Sequence, residues 1–169
     1  MITTPDEHKA EAPRQVRCAV ITVSDTRTIE TDTGGAEVVR LLTESEHVIV
    51  AREIIPDEPG RMRLLLESYR DNDHIDAVLM TGGTGISARD QTYETVSLLL
   101  TKPLPGYGEL FRMLSYDEIG AAALLSRATG GLMGRTVLLT MPGSRAAVRL
   151  AMQQVILPEL GHLVREARR

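Results

Sequence analysis

Three aspartates and a glycine-rich segment are the residues best suited to chemistry in this sequence of 169 residues. The segment consists of Thr81, Gly82, Gly83, Thr84 and Gly85. Its glycines free the backbone to present successive N–H groups to an anion, which predicts a phosphate site. Asp25, Asp57 and Asp90 would suit a cation beside that phosphate, because Mg²⁺ binds one or two carboxylates together with phosphate oxygens. The combination indicates phosphoryl or nucleotidyl transfer, with Arg89 as a candidate cationic group.

The glycine segment is also compatible with other interpretations. Residues 83–88 fit the dinucleotide pattern G-x-G-x-x-A, but two predicted strands precede them and residues 102–106 provide no acidic group for a ribose. A tight turn with Ser87 and Asp90 as a capping box would need no ligand. A P-loop is excluded because no Gly-Lys-Ser/Thr follows the glycines, and the four scattered histidines exclude a zinc cluster.

The polar segments directly follow predicted strands, which are short apolar runs bounded by turn residues. These strands cover residues 16–23, 47–55, 77–80 and 136–141. Ser24 and Asp25 follow the first strand, Asp57 follows the second, and the glycine segment follows the third. The fourth strand ends in Pro142, Gly143 and Ser144. Helical patterns alternate with the strands, so a parallel or mostly parallel sheet is expected, with all four segments at the edge where such sheets bind ligands.

The helices are predicted from apolar residues at helical spacing. These residues fall within 38–42, 62–69, 96–100 and 148–156. Asp32 is predicted to cap the first helix and Ser144 to start the last of these helices. Pro158 would either break that helix or mark a second helix that carries Leu160, Leu163 and Val164. Residues 102–108 are predicted as a loop and 109–114 as a short helix, whereas 116–133 show no clear periodicity. Residues 1–15 are predicted to be a flexible arm, and residues 16–169 a single domain.

Composition excludes several classes of function. Hydrophobic residues make up 43% and charged residues 25% of the chain, which is typical of a globular protein. A net charge of −4, no Trp, one Phe and four Tyr argue against nucleic-acid binding. No apolar run is long enough for a signal peptide or a membrane span, and Cys18 has no possible disulfide partner within the chain. The cytoplasm is therefore the predicted compartment.

A set of motifs in a specific order extends over nearly the whole chain from Val16 onward. The motifs are Ser24-Asp25-Thr26-Arg27, Asp32-Thr33-Gly34, Ile55-Pro56-Asp57-Glu58, residues 81–85 with Arg89-Asp90, Pro105-Gly106-Tyr107-Gly108-Glu109, Ser126-Arg127-Ala128 and Pro142-Gly143-Ser144. With these motifs the sequence resembles the molybdenum cofactor biosynthesis MoaB/MogA family, and its start and its 111–115 run are more similar to MoaB. That family includes the molybdopterin-adenylylating domains of gephyrin-type proteins.

The resemblance implies a three-layer α/β/α fold with a mostly parallel sheet. It further implies adenylyl transfer from Mg-ATP to the phosphate of molybdopterin, with pyrophosphate as the second product. In such a protein Asp57 and Asp90 would be catalytic and would hold the Mg²⁺. The glycine segment would bind nucleotide phosphates, and the segments containing Glu109 and Ser144 would belong to the pocket. The resemblance also implies a homotrimer or a homohexamer.

The sequence departs from the family pattern directly after Asp90. The family usually has Val-Thr-Pro-Glu at this point, whereas this chain has Gln91 and Tyr93 in place of the Val and the Pro. Loss of the proline removes a preset φ angle at the start of the helix. A second hypothesis for the function is therefore a non-catalytic paralogue that binds molybdopterin or nucleotide in the same pathway.

Overall fold

The structure is a computed structural model, and it describes residues 12–169. Its strands are β1 (Arg17–Val23), β2 (Val48–Ile55), β3 (Ala77–Thr81), β4 (Lys102–Pro103), β5 (Gly130–Met133) and β6 (Thr136–Met141). Its α-helices are α1 (Thr33–Glu44), α2 (Pro59–Tyr69), α3 (Thr92–Leu99), α4 (Pro105–Ile119), α5 (Arg145–Ala151) and α6 (Leu157–Ala167). A 3₁₀-helix, Gly120–Leu125, follows α4, and a π-helical turn, Met152–Ile156, joins α5 to α6.

The strands form one sheet in the order β2-β1-β3-β6-β5-β4. Neighbouring strands among β2, β1, β3 and β6 are parallel, whereas β5 runs antiparallel to both β6 and β4. The prediction of a mostly parallel sheet is therefore confirmed. The strand β5 was not predicted, because its first two residues are glycines, which do not favour a strand.

Helices cover both faces of the sheet, which confirms the three-layer α/β/α architecture. In β1, Cys18 and Val20 pack on one face with residues of α1, α4, α5 and α6. The alternate residues Ala19 and Ile21 pack on the other face with residues of α2 and α3. Burial on both faces explains why the central strands are continuous apolar runs without alternation.

Two helices begin at the edge of the sheet that carries the polar segments. The carboxylate of Asp32 accepts a hydrogen bond from Gly35 N (2.9 Å) and caps α1. The hydroxyl of Ser144 accepts one from Ala147 N (3.2 Å) and caps α5. Both predicted caps are confirmed, and they fix the loops after β1 and β6 at the points where helices begin.

Three expectations about the connecting segments differ from the structure. The predicted loop 102–108 is wrong, because it contains β4 and the start of α4 at Pro105, a residue whose fixed φ suits a first helical position. The predicted helix 109–114 is much shorter than α4, which has 15 residues. The long helix predicted from Ser144 through residue 156 is shorter, since α5 ends at Ala151 and the π-helical turn follows, whereas Pro158 lies in the first turn of a second helix, α6, as one of the two alternatives predicted. Most of the predicted flexible arm, residues 1–11, lies outside the described residues.

Candidate functional site

The loops that follow β1, β2, β3 and β6 meet at one edge of the sheet, as the sequence predicted. Asp57 N donates to Asp25 Oδ1 (3.1 Å), which joins the loops after β1 and β2. Thr81 Oγ1 donates to the carbonyl of Pro142 (3.1 Å), which joins the loops after β3 and β6. A methyl group on Gly34, at the start of α1, would lie 2.7 Å from the carbonyl of Gly143. The four segments therefore form one contiguous surface.

The glycine loop, residues 81–85, needs glycine at two positions for both conformation and space. Gly82 has φ +98° and Gly83 has φ +64°, which side chains rarely adopt. A Cβ on Gly82 would lie 2.2 Å from the carbonyl oxygen of Val23. A Cβ on Gly83 would lie 2.2 Å from Thr92 Oγ1 and 2.4 Å from Asp57 Oδ2. The loop thus passes directly over the side chain of Asp57.

Three successive carbonyl groups of the glycine loop accept hydrogen bonds from other parts of the protein. Gly83 O accepts from Thr92 N (3.2 Å), and Thr84 O accepts from Arg127 N (2.9 Å). Gly85 O accepts from Arg127 Nε (2.7 Å). Because the peptides of the described chain are trans, the N–H that follows each carbonyl points the opposite way. In residues 12–169 none of these three N–H groups has an acceptor, so they are free to bind an anion.

A cleft of about 430 Å³ opens beside the glycine loop. One side is polar and consists of the loop, Asp90 and the turn after β6. The opposite side is contributed by α4 and the 3₁₀-helix and is largely apolar. The apolar lining residues are Phe111, Ile119, Ala122, Ala123 and Leu125. A cleft of this size with a polar end and an apolar end suits a small ligand that combines an anionic group with a ring.

The carboxylate of Asp57 lies beneath the glycine loop and is 5% exposed. Its Oδ1 accepts a hydrogen bond from Gln91 N (3.1 Å) at the start of α3. Burial raises the pKa of Asp57, and the negative charges of Asp90 and Asp25 raise it further. The adjacent hydroxyl of Thr92 is buried and has no hydrogen-bond partner among residues 12–169.

These features fit a cation between Asp57 and Asp90. Their carboxylates repel each other, and the absence of a side chain at Gly83 lets the loop pass close to Asp57 Oδ2 without covering that oxygen with a methyl group. Within the described part of the chain, no group of three His, Cys, Asp or Glu side chains could hold a metal ion. Two carboxylates completed by phosphate oxygens and water are a donor set that Mg²⁺ accepts.

Asp90 closes a short turn between the glycine loop and α3. Its Oδ2 accepts from Ser87 N (3.0 Å), and its own N–H donates to the carbonyl of Ser87 (3.0 Å). The interpretation of this pair as a helix capping box is wrong, because α3 begins at Thr92 and Gln91 is at its N-cap position. The turn leaves the other oxygen of Asp90 for contacts in the cleft, which Asp90 lines.

Asp25 and Arg89 form an ion pair at the mouth of the site. Arg89 Nε donates to Asp25 Oδ2 (2.7 Å) and Arg89 Nη2 to Asp25 Oδ1 (2.9 Å). The hydrogen bonds from Arg89 lower the pKa of Asp25. Ser24 Oγ accepts from Thr26 N (3.3 Å) and Arg27 N (3.1 Å), which shapes this loop locally. In this arrangement the guanidinium of Arg89 is paired with Asp25, and Arg89 does not line the cleft.

Glu109 lies apart from the other predicted site residues. It lines a separate cavity of about 290 Å³, together with Tyr93 and Arg112, on the side of the molecule that carries β4. By contrast, Gly143 and Ser144 line the main cleft, as expected from the strand that they follow.

Sequence reasoning assigned no role to the residues of the cleft that lie between 116 and 133. Ile119 and Leu125 line the cleft and belong to that stretch, where no periodicity indicated a helix or a strand, and Arg127 of the same stretch contacts the glycine loop. The only available signal was the Ser126-Arg127-Ala128 motif, which carried part of the family resemblance. None of the helices within residues 12–169 has both the length and the apolar character needed to cross a bilayer.

Comparison with known proteins gave one consistent result. The family described as "Probable molybdopterin binding domain" matches residues 19–162. The chain is 52% identical over 164 residues to "Molybdenum cofactor biosynthesis protein B" of Bacillus subtilis (strain 168), covering 96% of this chain and 96% of that protein. The same protein of Bacillus anthracis is 50% identical over 164 residues, covering 96% of this chain and 97% of its own.

Solved structures agree with these relatives. A crystal structure of molybdenum cofactor biosynthesis protein B is 50% identical, with a TM-score of 0.89 over 94% of this chain and 99% of that one. The tungsten cofactor synthesizing protein MoaB from Pyrococcus furiosus is 34% identical, with a TM-score of 0.83 over 94% of this chain and 100% of its own. A MogA structure at 24% identity and a TM-score of 0.77 shares the fold.

Proposed function

Because this chain belongs to the molybdopterin-binding domain family of MoaB and MogA, we propose that it acts in molybdenum cofactor biosynthesis as a molybdopterin adenylyltransferase. One observation carries the proposal. Free backbone N–H groups, the carboxylate of Asp90 and an apolar surface lie at one cleft, and the carboxylate of Asp57 lies directly beneath its glycine loop. The N–H groups suit the phosphates of ATP, and the carboxylates suit the magnesium that accompanies them.

In the proposed reaction a phosphate oxygen of molybdopterin attacks the α-phosphorus of ATP. The bond from that phosphorus to the oxygen that bridges to the β-phosphate breaks, and pyrophosphate leaves with the bonding electrons. No covalent intermediate with the protein is needed, so the protein contributes positioning and charge stabilisation. The N–H groups of the glycine loop would hold the phosphates, and the apolar wall around Phe111 and Ile119 would hold a ring of one substrate.

Asp57 and Asp90 would hold the Mg²⁺. Asp57 is fixed by its hydrogen bond from Gln91 N, and Asp90 by its turn with Ser87. When bound, the ion would neutralise negative charge on the phosphate oxygens. Asp25 would keep Asp57 in place, because Asp25 Oδ1 accepts the N–H of Asp57, and Ser24 would shape the loop that carries Asp25.

We also propose that the protein works as a homo-oligomer. Large apolar side chains are exposed along α4 and the 3₁₀-helix, and they continue the apolar wall of the cleft onto the surface. They are Leu110, Met113, Tyr116, Ile119 and Leu124, and each of these residues is 40% to 71% exposed. An apolar surface of this kind is typical of a protein interface. A trimer or a hexamer would cover it, and sedimentation velocity would distinguish the two. The cytoplasmic compartment stays a prediction.

Pyrophosphate release from Mg-ATP in the presence of molybdopterin tests the proposed activity. Release is expected from the wild-type protein and should be lost in Asp57→Asn and Asp90→Asn. Asp76→Asn is the matched control, because Asp76 is also buried but pairs with Arg17 at the opposite edge of the sheet. Release that survives in both site variants would refute the assignment. Binding of both ligands without release by the wild type would favour the non-catalytic paralogue.

A further inference from the structure

The side chain of Arg127 contacts the site but has no role in the proposed reaction as described above. It lies between the 3₁₀-helix and β5, and its side chain is 25% exposed. Its Nε donates to Gly85 O (2.7 Å) and its Nη2 donates to Asp90 O (3.0 Å). One guanidinium group therefore holds both ends of the segment 85–90, which connects the glycine loop to the metal-binding carboxylate.

The backbone and the remaining nitrogen of Arg127 extend this attachment to α3. Arg127 N donates to Thr84 O (2.9 Å), and Nη1 forms an ion pair with Glu94. The guanidinium also lies over the ring of Tyr93, with its central carbon 5.3 Å from the ring centroid. The plane of the group is therefore fixed by a carboxylate and by a cation–π contact.

The direction of these hydrogen bonds determines what the glycine loop can bind. Two of the three occupied carbonyls of the loop accept from Arg127, so their peptide N–H groups are turned away from it. A substitution at position 127 keeps the main-chain N–H that binds Thr84 O, but without the guanidinium the Gly85 peptide could rotate, and its carbonyl oxygen could face the cleft, where it would repel a phosphate. Asp90 would lose the contact that holds its main chain at the same time.

We propose that Arg127 is a positioning residue that sets both the anion-binding orientation of the glycine loop and the place of Asp90. The inference rests on the proposed function for its effect on catalysis, but the orientation of the loop is a property of the protein alone. Tyr93 contributes by supporting the guanidinium. Tyr93 is one of the two residues, with Gln91, at which the sequence departs from the family pattern, and this contact gives it a role.

The test compares Arg127→Ala and Arg127→Lys with Arg17→Ala. Arg17 is a matched control, because it donates Nε (3.0 Å) and Nη2 (2.8 Å) to Asp76 at the opposite edge of the sheet. Lys keeps the charge but cannot bind two carbonyls at once. Three quantities are measured for each variant: the melting temperature, kcat for pyrophosphate release, and amide hydrogen exchange of Ser87, Arg89 and Asp90, whose N–H groups are hydrogen-bonded within the segment.

In Arg127→Ala we expect faster exchange of these three amides with core strands unchanged, and a fall in kcat of about 10²-fold, as for a catalytic group displaced by about 1 Å. In Arg127→Lys, both exchange and kcat should lie between the values for Arg127→Ala and the wild type. Arg17→Ala should lower the melting temperature but change neither this exchange nor kcat. Unchanged exchange of the three amides in Arg127→Ala, or an equal loss of kcat in Arg17→Ala, would overturn the proposal. If the wild type releases no pyrophosphate, the proposed function fails, and exchange together with Mg-ATP binding still decides the role of Arg127.

Discussion

The substitution Gly83→Ala tests whether the glycine loop must keep its present shape. An alanine at φ +64° costs about 1–2 kcal/mol because its Cβ crowds the following carbonyl. The same Cβ would lie 2.2 Å from Thr92 Oγ1 and 2.4 Å from Asp57 Oδ2, and overpacking of that kind costs about 1–3 kcal/mol. We therefore expect the free energy of unfolding to fall by roughly 2–5 kcal/mol.

Urea unfolding measures this change, and isothermal titration calorimetry with Mg-ATP measures binding in the same variant. If the loop relaxes to relieve the contact, stability is partly regained but the N–H groups move, so Mg-ATP binding should be lost. Gly60→Ala is the control, because no atom lies within 4 Å of its added Cβ and its place in α2 favours Ala by about 0.5–1 kcal/mol. A Gly83→Ala protein with wild-type stability and wild-type affinity for Mg-ATP would refute the reasoning.

Three further predictions concern residues outside the cleft. Glu37 is buried between α1 and α5 and accepts hydrogen bonds from three arginines, which lower its pKa from 4.5 to about 2. The contribution of Glu37 to the free energy of unfolding is therefore complete above pH 4.5 and lost as the pH falls from 4.5 towards 2. In Glu37→Gln the urea midpoint should no longer show that acid dependence, and the free energy of unfolding at pH 7 should fall by about 1–3 kcal/mol. Asp32→Ala should lower the free energy of unfolding by about 0.5–2 kcal/mol through loss of the α1 cap, or by more because the carboxylate also accepts a hydrogen bond from Thr22 Oγ1 (2.8 Å). An unchanged midpoint in urea unfolding would contradict this. Burial raises the pKa of the Cys18 thiol to about 12, so iodoacetamide at pH 8 should label it far more slowly in the native protein than in urea; equal rates would show that the thiol is accessible.

The fold could be predicted because its strands and caps depend on local sequence. Residues 77–80 are apolar at every position, and a strand buried on both faces requires such a run. Asp32 and Ser144 each stand just before a helical pattern, and their capping hydrogen bonds reach only three residues. Once the strands were parallel, the positions of Asp57 and the glycine loop at one edge followed from topology.

The remaining features depend on contacts between residues that are distant in sequence. Arg127 reaches residues 42 and 37 positions away, Gly85 and Asp90, and no local pattern indicates either contact. Arg89 was a candidate for phosphate binding, but Asp25, 64 positions away, engages it. The helix α4 was predicted too short because Gly106 and Gly108 suggest a loop, whereas Pro105 starts the helix and Gly108 lies close to the carbonyl of Ala128.

Transfer of the α-phosphate tests the central proposal most directly. The protein is incubated with molybdopterin and Mg-ATP that is radiolabelled at the α-phosphate, and the pterin product is separated. If the chain is an adenylyltransferase, the label appears in the pterin, one pyrophosphate forms for each label transferred, and Asp57→Asn transfers none. Binding of both ligands with all the label left in ATP, or ATP hydrolysis without transfer to the pterin, would contradict it.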